Sequence, residues 1–372
     1  MQTLLVASRK GLFVVQGAGA QWHISAPAFA GDPVTQVLSD PRNGHWYAAL
    51  RLGHFGAKLH KSQDQGATWT EVGTPAFAPK PTTGPLASDP TPWNVELVWS
   101  LTPGGQHEPD VLWAGCMPAG LFKSEDGGQT WTLNRALWED PRRLQWMGGG
   151  NDYPGMHSVL VDPRDARCIR VAISCGGVWQ TNDGGATWAL AAQGMKGDYL
   201  PAELAEDPNL QDPHRMVQCA ANPDVLWVQH HCGIFRSSDG GQLWKAIAPP
   251  EPSGFGFGVA CDPANPLRAW FAPAQSDSRR YPVDGKMVVT RTDDGGASFE
   301  VMDHGLPGTH AYHLVYRHSM EIAPDGQTLA LSSTTGGLWI SPDQGAHWHC
   351  VSQDLPPVAA LGWAHSPAAP TR

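Results

Sequence analysis

One eight-residue pattern, Ser/Thr-x-Asp-x-Gly-x-x-Trp/Phe, occurs six times in this chain of 372 residues. It reads SQDQGATW from Ser62, SEDGGQTW from Ser124, TNDGGATW from Thr181, SSDGGQLW from Ser237, TDDGGASF from Thr292 and SPDQGAHW from Ser341. The aspartates are Asp64, Asp126, Asp183, Asp239, Asp294 and Asp343, spaced 62, 57, 56, 55 and 49 residues apart. A fixed period of this length marks a structural unit that stacks on copies of itself.

Each copy has the same neighbours. Gly-apolar-aromatic precedes it, as in GLFKS, GVWQT, GIFRS and GLWIS. Before that comes a β-rich run such as VLWAG, IRVAIS or VLWVQ, and before that another run closing on a Pro turn, as in SVLVDP. One repeat is therefore four short strands, a to d, with the pattern in the c-to-d turn. The Asp carboxylate caps the turn's own N–H groups, Gly takes positive φ, and the Trp packs over the hairpin. These aspartates read as structural.

Four-stranded units repeated in this way build a β-propeller. Six carry the pattern. A seventh is visible at the N-terminus, where TLLVAS, GLFVV and QWHIS supply strands b, c and d. It lacks an inner strand, which PPVAALGWA near the C-terminus can provide, leaving no exposed edge. The expected fold is all-β: one domain over 1–372, a seven-bladed propeller closed by N- and C-terminal strands in one blade. Gly 42, Pro 33 and a charged fraction of only 16% agree with many short strands and tight turns.

The repeated pattern resembles the Asp-box, or BNR repeat, of bacterial sialidases, sortilins, xyloglucanase-type glycosidases and the photosystem II assembly factor. The whole chain resembles bacterial BNR-repeat, exo-sialidase-like proteins, in stretches such as GGGNDYPGMHS, QHHCGIFRSSDGG and APAQSDSRRYPVDG. The resemblance implies the propeller fold and points to glycoside hydrolysis. The Arg-Ile-Pro segment that introduces a sialidase arginine triad is absent, and SRKGLF stands in its place, which argues against sialidase activity itself.

Propeller geometry sorts the remaining residues. Starts of strand a and b-to-c turns share one face, the mouth, and the Asp-box turns lie on the other. At the starts of strand a stand His157, His214 and Arg317-His318. In b-to-c turns stand Arg9, Arg51, His230-His231-Cys232 and the long AQSDSRRYPVDG segment with Asp277, Arg279 and Arg280. Imidazole is the commonest ligand of zinc, iron, copper and nickel. The expectation is a divalent transition metal held by His157, His214, His230 and His318. His231, Asp152 and Tyr312 are the expected catalytic groups. Arg9, Arg51, Arg279, Arg280 and Arg317 are expected to bind substrate, since guanidinium forks suit carboxylates and phosphates. Trp93, Trp146, Tyr153, Phe255 and Tyr312 would wall the pocket, and the loops holding Gly148–Gly150 and residues 202–207 would border it, the latter as a short helical turn.

The expected function is that of a metal-assisted hydrolase or lyase on a small anionic molecule. A BNR-type glycoside hydrolase using Asp152, Glu96 or Asp277 on a sugar is one alternative, and a non-catalytic scaffold for a protein partner is another. A net charge of −10 disfavours nucleic acid as a partner. With no basic n-region and no long apolar run, neither a signal peptide nor a membrane span is expected. Seven cysteines without framework spacing point to free thiols in the cytoplasm.

Overall fold

A computed structural model of the protein describes residues 1–149 and 151–365. Its strands form seven four-stranded sheets, the blades of an all-β propeller with almost no helix. Blade one joins Val358–Trp363 to Gln2–Ser8, Gly11–Ala18 and Gln21–Ile24, so its inner strand comes from the far end of the sequence, as expected. The pairing is antiparallel, with Leu4 opposite Trp363 and Val6 opposite Leu361. Every other blade is continuous in sequence and runs a to d in chain order. Blade five, for example, consists of Pro213–Gln218, Leu226–His230, Gly233–Ser237 and Lys245–Ile247.

Contacts gather the described chain into two compact groups, Met1–Ser39 with the residues from His214 onward, and Asp40–Pro213. In the first group, Leu4, Val6, Ala330, Leu338, Ile340, Val358 and Leu361 form one apolar cluster between blades seven and one. Blade seven also meets the inner strand of blade one through a parallel bridge from His318 to Ala360. In the second group, Trp113, Leu121, Met156, Val159, Ile169, Val171 and Trp179 fill the space between blades three and four. These side chains alternate along strands whose two faces are both covered, which explains the near-continuous apolar runs.

The repeated pattern folds as a set of hydrogen bonds within the c-to-d turn. In blade three, Ser124 Oγ donates to Asp126 Oδ1 at 2.8 Å and accepts from Gly128 N at 2.8 Å. Asp126 also accepts from Thr130 N at 2.9 Å and Thr130 Oγ1 at 2.6 Å. The position before the glycine shared by all six repeats needs φ near +60°, which Gly127 supplies at 68° and Gln65 and Gln344 adopt at 56° and 61°. The tryptophan does more than cover its own hairpin. Trp131 Nε1 donates to Gly73 O at 2.8 Å, just past the outer strand Thr70–Val72, and Trp188 Nε1 donates to Asn134 Oδ1 at 3.0 Å. In blades three and four the pattern thus latches its blade to the preceding one.

The segment 202–207, expected as a helical turn, is a series of non-helical turns. A true helical turn occurs instead at Arg135–Trp138, where Asn134 Oδ1 accepts from Leu137 N at 3.0 Å as an N-cap. Gly150 lies outside the described residues. No helix is long and apolar enough to cross a membrane among the described residues. None of the seven cysteines is in a disulfide.

Candidate functional site

The b-to-c hairpin of blade five pairs His230 with Gly233, leaving His231 and Cys232 as its two-residue turn. His230 points inward and is fully buried. Its Nδ1 accepts from Cys232 N at 3.0 Å, and its ring meets Phe235 edge-on. The buried amide of Gln229 donates to His230 O and Gly233 O at 3.2 Å and to Gly254 O at 2.9 Å. His230 is therefore a brace for the turn, with one ring nitrogen committed to it, and does not stand in the ligand role expected for it. The turn is rigidly held, and it presents His231.

His231 lies beside His214, with ring centroids 5.4 Å apart. His214 is 2% exposed, stacks on Phe257 at 4.4 Å, and directs Nδ1 at Gly256 O, 2.6 Å away. Phe255 meets both imidazoles edge-on, at 5.7 Å and 5.8 Å. The guanidinium groups of Arg317 and Arg280 stand 5.2 Å and 5.5 Å from the Phe257 ring centre, where a cation meets a ring's negative face.

Asp212 precedes His214 by two residues. Ligand atoms of Asp212, His214 and His231 all lie within 4.8 Å of one another. All three come from the single stretch of chain that leads into blade five and forms its first hairpins. Sequence reasoning omitted Asp212, although a signal was present. In QDPHRM, a carboxylate two residues before a strand-start histidine falls on the same side of an extended chain. Asp212 is 3% exposed, and its Oδ1 accepts from Cys175 N at 3.1 Å. A methyl on Gly149 would sit 3.2 Å from the same oxygen, so the glycine permits the loop to approach.

His157 is fully buried with both ring nitrogens engaged, Nδ1 with Ser158 Oγ at 3.0 Å and Nε2 with Pro213 O at 2.7 Å. The carbonyl makes Nε2 a donor, so His157 holds the peptide between Asp212 and His214 and does not present a lone pair to an ion there. His318 is 8% exposed, and its backbone carbonyl accepts from Leu361 N. Neither His157, His230 nor His318 belongs to the one ligand group found among the described residues.

The other expected residues are more dispersed. Tyr312 is 63% exposed and tilts against Tyr281. Asp152, Arg9 and Arg279 are exposed. Arg51 pairs with Glu96 at 3.1 Å, and Arg280 pairs with Asp277. Of the expected wall, Phe255 lies at the imidazoles. Trp93 packs with Phe77 and Trp138, and Trp146 packs on Trp179 while donating to Asn209 Oδ1 at 2.9 Å.

No family model matches the chain. The curated proteins it resembles are xyloglucanases. It is 25% identical over 346 residues to a probable oligoxyloglucan-reducing end-specific xyloglucanase of Neosartorya fischeri, covering 85% of this chain and 38% of that protein. It is 27% identical over 271 residues to the oligoxyloglucan-reducing end-specific xyloglucanase of Emericella nidulans, covering 64% and 30%. The chain thus spans well under half the length of these relatives. Among solved structures it is similar to an ancestral GH74 enzyme, with a TM-score of 0.58 at 15% identity over 97% of this chain and 40% of that one. It is also similar to YCF48 bound to D1 peptide, with a TM-score of 0.53 at 13% identity over 87% and 84%. At such identities the structural likeness shows the fold.

Proposed function

We propose that this propeller is a glycoside hydrolase of the BNR type acting on an oligosaccharide. The observation that carries the reading is the alignment with xyloglucanases across 85% of this chain. Hydrolysis of a glycosidic bond needs one carboxylic acid to protonate the departing oxygen and one carboxylate to activate water or attack the sugar carbon. Asp152, Glu96 and Asp277 are the candidates. Glu96 lies beside Arg51 and Asp277 beside Arg280, so each of these carboxylates has a guanidinium at hand. Phe255 and Phe257 offer apolar faces for a sugar ring, and Arg280 and Arg317 around Phe257 favour a sugar that carries an acidic group.

The test is release of new reducing ends from a panel of xyloglucan oligosaccharides and uronic-acid-containing oligosaccharides. Activity is expected on at least one member. Asp152→Asn, Glu96→Gln and Asp277→Asn are then assayed singly, and two of the three should lose activity by on the order of 100-fold or more. A folded protein that releases nothing from the whole panel would overturn the reading.

A further inference from the structure

We infer that Asp212, His214 and His231 form a binding site for a divalent first-row transition metal. Two imidazoles and one carboxylate, converging from one side, leave the remaining coordination positions open, a donor set used by non-haem iron and by catalytic zinc. The site differs from a chance meeting of polar groups in how its members are prepared. The carbonyl of Gly256 accepts a hydrogen bond from the Nδ1–H of His214 at 2.6 Å, which places the lone pair on Nε2. The N–H of Cys175 binds Asp212 Oδ1 at 3.1 Å and orients the carboxylate. His157 grips the carbonyl of Pro213 at 2.7 Å and fixes the spacing of the two ligands that flank it. The turn bearing His231 is held by Gln229 and by the ring of His230. Outer partners of this kind are what ordinarily orient metal ligands.

The distances set a condition. Bonds of about 2.1 Å place two ligand atoms at most about 4.2 Å apart. The present group spans up to 4.8 Å, so the side chains must draw in by a few tenths of an ångström when the ion binds. His231, half-buried on a two-residue turn, is the member with room to do so. The inference is independent of glycoside hydrolysis, because it is read without turnover.

The experiment uses tag-free protein, stripped with a chelator and titrated with Co(II). One equivalent should bind and produce visible d–d absorption, and the wild-type protein purified without chelator should carry about one transition-metal ion by elemental analysis. Asp212→Asn, His214→Gln and His231→Gln, each checked for fold by circular dichroism, should weaken Co(II) binding by more than roughly 100-fold, beyond the effect of losing an outer partner. The double variant His304→Ala/His347→Ala removes another close imidazole pair, with ring centroids 4.7 Å apart, and should leave binding unchanged. Absence of the Co(II) band, its persistence in all three ligand variants, or its loss in the control would each overturn the site. The three residues would then be a hydrogen-bonded group only.

Discussion

The Nδ1 atom of His214 and the carbonyl oxygen of Gly256 are 2.6 Å apart, and this contact decides the tautomer of the imidazole. A carbonyl can only accept, so Nδ1 carries the proton. Nitrogen-15 correlation spectra of the metal-free protein should show His214 protonated at Nδ1. A Phe257→Leu variant should keep that tautomer while losing the stacked ring. Protonation at Nε2 alone would remove the lone pair from the side assigned to the ion.

Asp126 is held by four donors, and the bonds from Thr130 and Ser124 pull its carboxyl down from 3.8 to about 2. Asp126→Ala should destabilise the protein by roughly 0.5–1.5 kcal/mol for each bond not replaced by water. Any activity of the folded variant should persist, because the turn lies at the c-to-d end of its blade. Its contribution in the wild type is complete above about pH 4 and is lost as pH falls through about 2. Chemical denaturation at several pH values checks this, and the wild type and variant should converge at the acid end.

Gln65 adopts φ of 56° where four of the other repeats carry glycine. Left-handed backbone costs a side-chain-bearing residue on the order of 1 kcal/mol, partly offset by the greater freedom of glycine in the unfolded chain. Gln65→Gly should therefore stabilise by a few tenths of a kcal/mol to about 1 kcal/mol, seen as a higher melting temperature. Gln344, at 61°, should not respond in the same way, because its amide donates to Gly326 O at 2.7 Å and its carbonyl oxygen accepts from Arg268.

Asp89 and Arg143 tie two long loops together through a buried ion pair at 2.6 Å, with side chains 0% and 3% exposed. Burial would raise the Asp89 carboxyl, and the guanidinium overrides it, leaving it below its ordinary value. Arg143→Ala strands the carboxylate and removes a cation from the Trp138 face, so a loss of about 3–5 kcal/mol is expected in denaturant melts. The wild-type pair is intact above the ordinary carboxylate range and weakens as pH falls below it.

Truncation before Val358 removes the inner strand of blade one and uncovers Leu4 and Val6. The shortened protein should melt far lower or fail to fold. Supplying the missing strand as a synthetic peptide should raise the melting temperature.

The fold was legible because its determinants are local and repeated. Six turns declare the blades, and the missing inner strand is implied by counting. The latch from Trp131 to Gly73 was not legible, since the pattern does not say which neighbour receives the indole. The grouping of Asp212, His214 and His231 was legible only in part. His214 and His231 were marked by their places at a strand start and a hairpin turn. The roles of His157 and His230 turned on which carbonyl or N–H each ring meets, and such partners come from backbone that carries no sequence signature. Asp212 went unnoticed because it precedes the strand by one residue, although its spacing from His214 was visible.

Blade one pairs strands that lie more than 300 residues apart in the sequence, so Leu4 waits for Trp363 while all the intervening blades are synthesised. Until that partner emerges from the ribosome, Gln2–Ser8 offers one unpaired edge while its other edge is covered by Gly11–Ala18. The nascent protein therefore carries an open β-edge while the six intervening blades are made, and that interval is when a chaperone, or a neighbouring nascent chain of the same kind, can capture it.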